Sequence, residues 1–324
     1  MKQKVFGCLA MIACVLAACR QESQPMEVKS ITVQKEQVYY RIKGLEKPFT
    51  VMFMADTHFT LEDERGKPYY DYSRRMGGEA VEPENYGKSN GREKSLVSSL
   101  KKGQQEKVSL VILGGDILNF PSLASVEYLK KLLDDARLPW VYTAGNHDWH
   151  YEGEAGSSME QRKRWTESHL MPLYQGNHPL YHAQVIHGIN FVTIDNSVFE
   201  ITPEQLSFFQ GEVAKGLPIV LAMHIPIYVE GHNIDYGCGN PTWNADHDIY
   251  YEIERREPWP AEGFTETTCL FRDCVLHSPS VIGIYAGHTH EKAIDFLPDK
   301  IQYVTDAHYA GSDVMIHFLP SLGE

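Results

Sequence analysis

Five short polar segments of this 324-residue chain carry residue types that bind metal ions. They are Asp56-Thr57-His58, Gly114-Gly115-Asp116, Gly145-Asn146-His147-Asp148, His224, and Gly287-His288-Thr289-His290. Asp and Asn offer oxygen, and His offers imidazole nitrogen. This mixed set suits Mn, Fe or Zn better than Mg or Ca. Asp56 and His58 stand two apart, so an extended segment would project both from one side. The same spacing recurs at His288 and His290. A carboxylate such as Asp116 has two oxygens and can bridge two ions. The side chains of Asp56, His58, Asp116, Asn146, His224, His288 and His290 are too many for one four-coordinate ion and enough for two. Each segment has a bland reading when taken alone. Gly-Gly-Asp is an ordinary turn, Asp and His often close strands, and a solitary His224 fits a structural role. Their joint occurrence in this order does not have such a reading.

The elements that would position these residues are legible as apolar runs. Phe49 to Met54, Ser109 to Leu113, Trp140 to Thr143, Phe191 to Ile194, Pro218 to Met223 and Val281 to Tyr285 are short, nearly continuous and rich in β-branched or aromatic residues. Such runs suit central strands buried on both faces, and a strand-like pattern also starts at Ile31. Five of them stop directly before the polar segments. In open α/β sheets, ligands bind outside the carboxyl ends of the strands, so five strands would deliver the polar residues to one edge. Helical patterns fall between, over Leu96 to Gln104, Ala124 to Ala136, Glu160 to Leu173 and Thr267 to His277. A further helix starts at the capping box Thr202-Pro203-Glu204-Gln205 and runs to about Lys215. Alternating strands and helices predict an α/β architecture.

The order Asp-x-His, Gly-Asp, Gly-Asn-His-Asp, His, Gly-His-x-His resembles the calcineurin-like metallophosphoesterases, over about residues 49 to 318. The resemblance implies a four-layer αββα sandwich, two mixed β-sheets flanked by helices. It implies that Asp56, His58, Asp116 and His290 bind one metal ion, and that Asp116, Asn146, His224 and His288 bind the other. It places His147 beside the scissile bond, with Asp148 orienting it. The implied cofactors are two divalent or trivalent ions, and the implied activity is hydrolysis of phosphate esters. Two cations roughly 3.5–4 Å apart can bind phosphate and share a hydroxide, because coordination lowers the pKa of water to about 7. His147 would then act on the leaving oxygen as a general acid. Departures narrow the subfamily. Asn119 stands where purple acid phosphatases carry Tyr, so a tyrosinate–iron colour is not expected. Asn119 and Phe120 replace the Asp and Arg of serine/threonine protein phosphatases, which removes an Arg that would bind phosphate.

The rest of the chain bounds the substrate and the compartment. A net charge of -13 disfavours nucleic-acid binding but admits small phosphate esters, since bound cations supply positive charge locally. Lys2, Lys4 and the apolar stretch from Val5 to Ala18 fit a signal peptide. Leu16-Ala17-Ala18-Cys19 resembles a bacterial lipobox, whose Cys receives lipid. Residues 1–18 are thus expected to be a signal peptide and 19–29 a tether, followed by a catalytic domain over 30–324 on a membrane of the bacterial envelope. Cys269 and Cys274 lie five apart on a predicted helix, about 7.5 Å along its axis, too far for a disulfide. Any bridge would therefore use Cys238. Two irregular stretches, 60–92 and 229–265, follow metal-type residues and are expected to be loops forming a lid that selects the leaving group. Tyr69, Tyr70, Tyr72, Arg74 and Arg75 sit in the first, and Asn240, Trp243 and Asn244 in the second. His308 and Tyr309 are the next candidates for selecting substrate. Phosphomonoesterase is the first reading, phosphodiesterase the second; an inactive metal-binding scaffold and a nuclease stand behind them.

Overall fold

The computed structural model describes residues 26–231, 237–247 and 256–321. The signal segment and Cys19 lie outside the described residues. Twelve strands among the described residues form two six-stranded sheets. Strands β1 (Glu27–Gln34), β2 (Gln37–Lys43), β3 (Phe49–Met54), β4 (Leu110–Leu113) and β5 (Trp140–Tyr142) belong to the first. Strands β6 (Tyr181–Ile186), β7 (Ile189–Ile194), β8 (Ile219–Ala222), β9 (Val281–Ala286), β10 (Ala293–Phe296) and β11 (Ile301–Val304) form the second, and β12 (Val314–Pro320) returns to the first. The orders are β1-β2-β12-β3-β4-β5 and β10-β11-β9-β8-β7-β6. β3, β4 and β5 run parallel, as do β7, β8 and β9, while antiparallel pairs such as β1–β2, β12–β3 and β6–β7 make both sheets mixed.

Strand periodicity explains the layers. Successive side chains on a strand point to opposite faces. In β3, Val51 and Phe53 face the second sheet, where they meet Phe191, Val220 and Tyr285, whereas Met52 and Met54 face the helices. In β4, Leu110 and Ile112 take the inner side, and Val111 and Leu113 the outer. The outer face of the first sheet is covered by α2 (Glu93–Glu106) through Leu96 and Leu100, and by α3 (Leu123–Ala136) through Val126, Leu129 and Leu133. The outer face of the second sheet is covered by α6 (Pro203–Val213) through Phe209, and by α7 (Glu266–His277) through Phe271 and Val275. Three apolar layers thus separate four layers of structure, as the sequence resemblance implies. Each fully buried Val, Leu, Ile or Phe stabilises this arrangement by roughly 1.5–3 kcal/mol. The Thr202 capping box forms as expected, with Thr202 N donating to Gln205 Oε1 at 2.9 Å and Gln205 N to Thr202 Oγ1 at 3.2 Å.

Several expectations need correction. The first strand starts at Glu27, inside the stretch read as tether. Residues 60–92 are not an irregular lid. They fold into a 3₁₀ helix (Glu64–Tyr69), α1 (Tyr70–Gly77) and two shorter 3₁₀ turns. Tyr69 stacks on Tyr151 at 5.5 Å and meets Trp165 edge-on at 4.9 Å, so its ring is spent on packing. Arg74 donates to Glu82 at 2.6 Å, and the Tyr70 hydroxyl donates to the same carboxylate. The charge density that suggested a loop is a set of local ion pairs on short helices. In the second stretch, Trp243 is buried with Phe199, Trp259 and Phe264 in a small apolar cluster, and Asn240 accepts from Thr242. Residues 232–236 and 248–255 of that stretch lie outside the described residues. The helix expected over Glu160 to Leu173 is α4 (Ser158–Trp165), a π-helical turn (Thr166–Leu170) and α5 (Met171–Tyr174). Cys238, Cys269 and Cys274 are unbridged.

Candidate metal centre

The carboxyl ends of β3, β4 and β5 from one sheet and of β8 and β9 from the other meet at one edge of the sandwich. Backbone hydrogen bonds lace the emerging segments together: Asp56 N to Gly115 O at 3.0 Å, His58 N to Asp116 O at 2.9 Å, and Gly287 N to His224 O at 2.9 Å. The residues expected to bind metal converge there. His58 Nε2 and His290 Nε2 are 2.8 Å apart, and His290 Nε2 is 3.4 Å from Asp56 Oδ1. His224 Nε2 is 3.2 Å from Asp116 Oδ2 and 3.1 Å from Asn146 Oδ1. Donor atoms of Asp56, His58 and His290 lie within 4.8 Å of one another, as do those of Asp116, His224 and His288, and those of His58, Asp116 and His147. Asp116 sits between the groups, with Oδ2 3.9 Å from His58 Nε2.

The backbone at this edge is contorted. Asp56, His58, Asp116, His288 and His290 all have positive φ, between 47° and 73°. This left-handed region is uncommon for residues other than glycine and is held at functional sites by surrounding structure. It also corrects the expected geometry of the two Asp/His-x-His pairs. They do not project from extended strands; each strand ends first, and the left-handed turns aim the side chains. Two glycines permit the crowding. A Cβ on Gly145 would lie 2.1 Å from Asp116 Oδ1, and one on Gly287 would lie 2.1 Å from Asp56 Oδ2.

Neighbouring groups fix protons and orientations. His224 Nδ1 donates to the Gly114 carbonyl at 3.1 Å, which leaves Nε2 to face Asp116. Asp56 accepts from His288 N at 3.0 and 3.1 Å, and Asp116 Oδ1 accepts from His147 N at 2.8 Å. Burial drives the His58 imidazole well below its usual range, helped by nearby His147. Burial also opposes charge on Asp116, but the His224 and His147 imidazoles outweigh it and hold this carboxyl well below the usual range. Burial likewise opposes charge on His224, yet contact with Asp116 raises it to about 9. Neutral imidazoles and ionised carboxylates are the forms that bind cations, so a cation must displace the His224 proton. The site fits metal. Two imidazole nitrogens facing each other at 2.8 Å, one on buried His58 and one on exposed His290, with carboxylate oxygens alongside, are a donor set suited to a shared cation.

Asp148 has a different task from the one expected. Its Oδ2 accepts from Asp116 N at 2.8 Å and Gly145 N at 2.7 Å, and its Oδ1 from Leu118 N at 2.7 Å. It clamps two of the segments together rather than reaching the His147 ring. Burial and the Asp116 charge raise its pKa to about 7. His147 Nδ1 donates instead to the Asn119 carbonyl at 3.1 Å, and the Asn119 side chain turns away to Met76 O. His308, a secondary candidate, is buried between Thr57 Oγ1 and Ser99 Oγ, both 2.9 Å away, and braces the Asp56–His58 segment. Asn90 and Arg92 went unnoticed in the sequence. Asn90 Nδ2 donates to the His58 carbonyl at 2.9 Å, and an Arg92 guanidinium nitrogen does so at 3.3 Å. No spacing rule marks them; the one signal is an arginine at a helix start, where Ser, Thr, Asp or Asn is usual.

No curated protein matches the chain. A dimetal phosphatase from Danio rerio has a similar structure, with TM-score 0.52 and 13% identity over 81% of this chain and 88% of that one. Purple acid phosphatase PPD1 from yellow lupin (Lupinus luteus) gives TM-score 0.49 and 11% identity over 89% of this chain and 48% of that one. At such identities the likeness is one of fold. The sequence profile of the calcineurin-like phosphoesterases matches residues 49–292, which takes in all five polar segments. The chain belongs to the calcineurin-like phosphoesterase family, and its chemistry is the metal-dependent hydrolysis of phosphoric esters.

Proposed function

We propose that the chain is a two-metal phosphomonoesterase acting on small esters. The observation that carries the two-metal reading is the juxtaposition of two donor clusters, Asp56–His58–His290 and Asp116–His224–His288, with Asp116 Oδ2 3.9 Å from His58 Nε2 of the first. Asp56, His58, Asp116 and His290 would hold one cation, and Asp116, Asn146, His224 and His288 the other. When bound, the cations supply positive charge for the phosphate oxygens and ionise water near neutral pH. His147 is the proton donor; its Nδ1 donates to the Asn119 carbonyl at 3.1 Å, which orients the ring at the metal edge. Asp148 keeps the Asp116 and Gly145 turns in register.

A cavity of about 390 Å³ adjoins the site at His290 and is otherwise lined by Glu36, Lys102, Asp306, Tyr309 and Asp313, among others. The test is turnover of nitrophenyl phosphate against bis(nitrophenyl) phosphate with Mn, Fe or Zn restored. The expected result is a kcat/KM at least about tenfold higher for the monoester. The reverse preference would assign a phosphodiesterase, and no turnover with full metal occupancy an inactive scaffold.

For the compartment, we infer that Cys19 is lipidated and holds the domain on a bacterial envelope membrane. The lipobox-like Leu16-Ala17-Ala18-Cys19 supports this. Cys19→Ser should move the protein from the membrane fraction to the soluble fraction with activity retained. A wild-type protein already soluble would sink this reading.

A further inference from the structure

Arg92 combines three features that its local structure does not explain. It begins α2 at a position where a side chain normally caps the helix, and it makes no capping bond. A cation at a helix N-terminus is opposed by the helix dipole, so the residue costs the helix stability. Its guanidinium lies face-on over the Tyr309 ring, 4.2 Å from the ring centre, and donates one hydrogen bond, to the His58 carbonyl. A guanidinium has five N–H donors, and among the described residues no carboxylate pairs with this one. Arg65, Arg74, Arg162, Arg164 and Arg272 all pair with acids. An unpaired, partly buried arginine is conspicuous in a chain of net charge -13.

Its place relative to the metal centre supplies the reason. The Tyr309 ring meets the rings of His58 and His290 edge-on, with centroids 6.1 and 5.7 Å away. Tyr309 N also approaches the Asp56 carbonyl at 3.4 Å. Arg92 is therefore held beside the Asp56–His58–His290 cluster from two sides, by an aromatic face and by a ligand-type residue's own carbonyl. Burial lowers its pKa, yet an arginine stays charged at any working pH. Phe120, which follows Asn119 at the metal edge, is buried in the apolar layer under α1 and carries no charge.

We propose that Arg92, pre-oriented by Tyr309, binds a non-bridging oxygen of the substrate phosphate and favours dianionic monoesters over monoanionic diesters. This rests on the phosphoesterase reading above and names how that site selects its substrate. The planar fork of free donors suits two phosphate oxygens at once. An extra negative charge on the monoester strengthens the contact, while a diester's second substituent removes an oxygen charge that the fork would meet.

The test uses the metal-loaded protein, with inorganic phosphate as titrant in calorimetry, KM for the two nitrophenyl esters, and metal content by elemental analysis. Arg92→Gln should weaken phosphate binding and raise KM for nitrophenyl phosphate by about tenfold or more, the range expected of a charge-assisted contact. KM for bis(nitrophenyl) phosphate should move by less than about threefold, and metal content should stay at the wild-type value. Arg92→Lys, which keeps charge but loses the fork, should recover only part of the loss. Tyr309→Leu should show the same selective loss in smaller measure. Unchanged phosphate binding in Arg92→Gln, an equal loss for both esters, or a fall in metal content would each overturn the clamp. A metal-loaded wild type that binds no phosphate would instead overturn the phosphoesterase reading on which the clamp rests.

Discussion

Asp116→Ala should abolish metal-dependent turnover, with a loss of at least about 10⁴-fold, because removal of cation-derived charge stabilisation worth several kcal/mol is amplified tenfold for every 1.36 kcal/mol. Asp116 belongs to the Asp116–His224–His288 cluster, and its Oδ2 lies 3.9 Å from His58 Nε2 of the Asp56–His58–His290 cluster, so in the proposed bridging role its removal strips a ligand from each. It also leaves His224, buried and raised to about 9 by this carboxylate, without its ion-pair partner. Elemental analysis should therefore find the loss at the level of bound metal, not only of rate. The sign of the pH effect follows from the same pair. Below about pH 9 the metal-free protein carries a proton on His224 that a cation must displace. Metal affinity should then rise as pH rises towards that value, and loading at neutral pH should release protons, measurable in weakly buffered solution. Asp116→Ala protein that keeps two metals and normal turnover would show that the site assignment is wrong.

What could be read in advance divides along a physical line. β3, β4, β5, β8 and β9 are buried on both faces, so their apolar runs stand out without an alignment, and the residues just past them inherit a position. The seven ligand-type residues were legible for that reason, and they do converge. The turn geometry was not legible. Left-handed φ at Asp56, His58, Asp116, His288 and His290 comes from tertiary lacing such as His58 N to Asp116 O, which local pattern does not encode. Strands such as β6 and β10 were missed because they are only partly buried and lack an apolar run. Residues 60–92 misled for the opposite reason: Tyr69 and Tyr72 belong to the core layer, but they are scattered among Arg65, Arg74 and Glu82, whose ion pairs are set by the fold. Arg92 was hidden in the same stretch. Its significance depends on Tyr309, more than two hundred positions away, and on the absence of an acid partner among the described residues, neither of which a linear reading exposes.

His147 offers the sharper separation between binding and chemistry. Its backbone N–H holds Asp116 Oδ1 at 2.8 Å, and a side-chain substitution leaves that bond intact. In His147→Asn, the amide can replace Nδ1 as donor to the Asn119 carbonyl, now 3.1 Å away, so the segment should keep its shape. The nitrogen that would deliver a proton is lost. Turnover of an alkyl phosphate should fall by about 10²–10⁴-fold, the range for a general acid. Nitrophenyl phosphate should suffer much less, because nitrophenolate leaves readily without a proton. A general acid therefore predicts a gap between the two substrates as well as a slower enzyme. A ligand role for His147 has its own support, since donor atoms of His58, Asp116 and His147 lie within 4.8 Å of one another and could share a cation. A metal ligand predicts lost metal and an equal fall for both esters. Elemental analysis beside the two rates decides: full occupancy with a leaving-group gap keeps His147 as the proton donor, whereas one missing ion with no gap makes it an eighth ligand and leaves the proton to solvent.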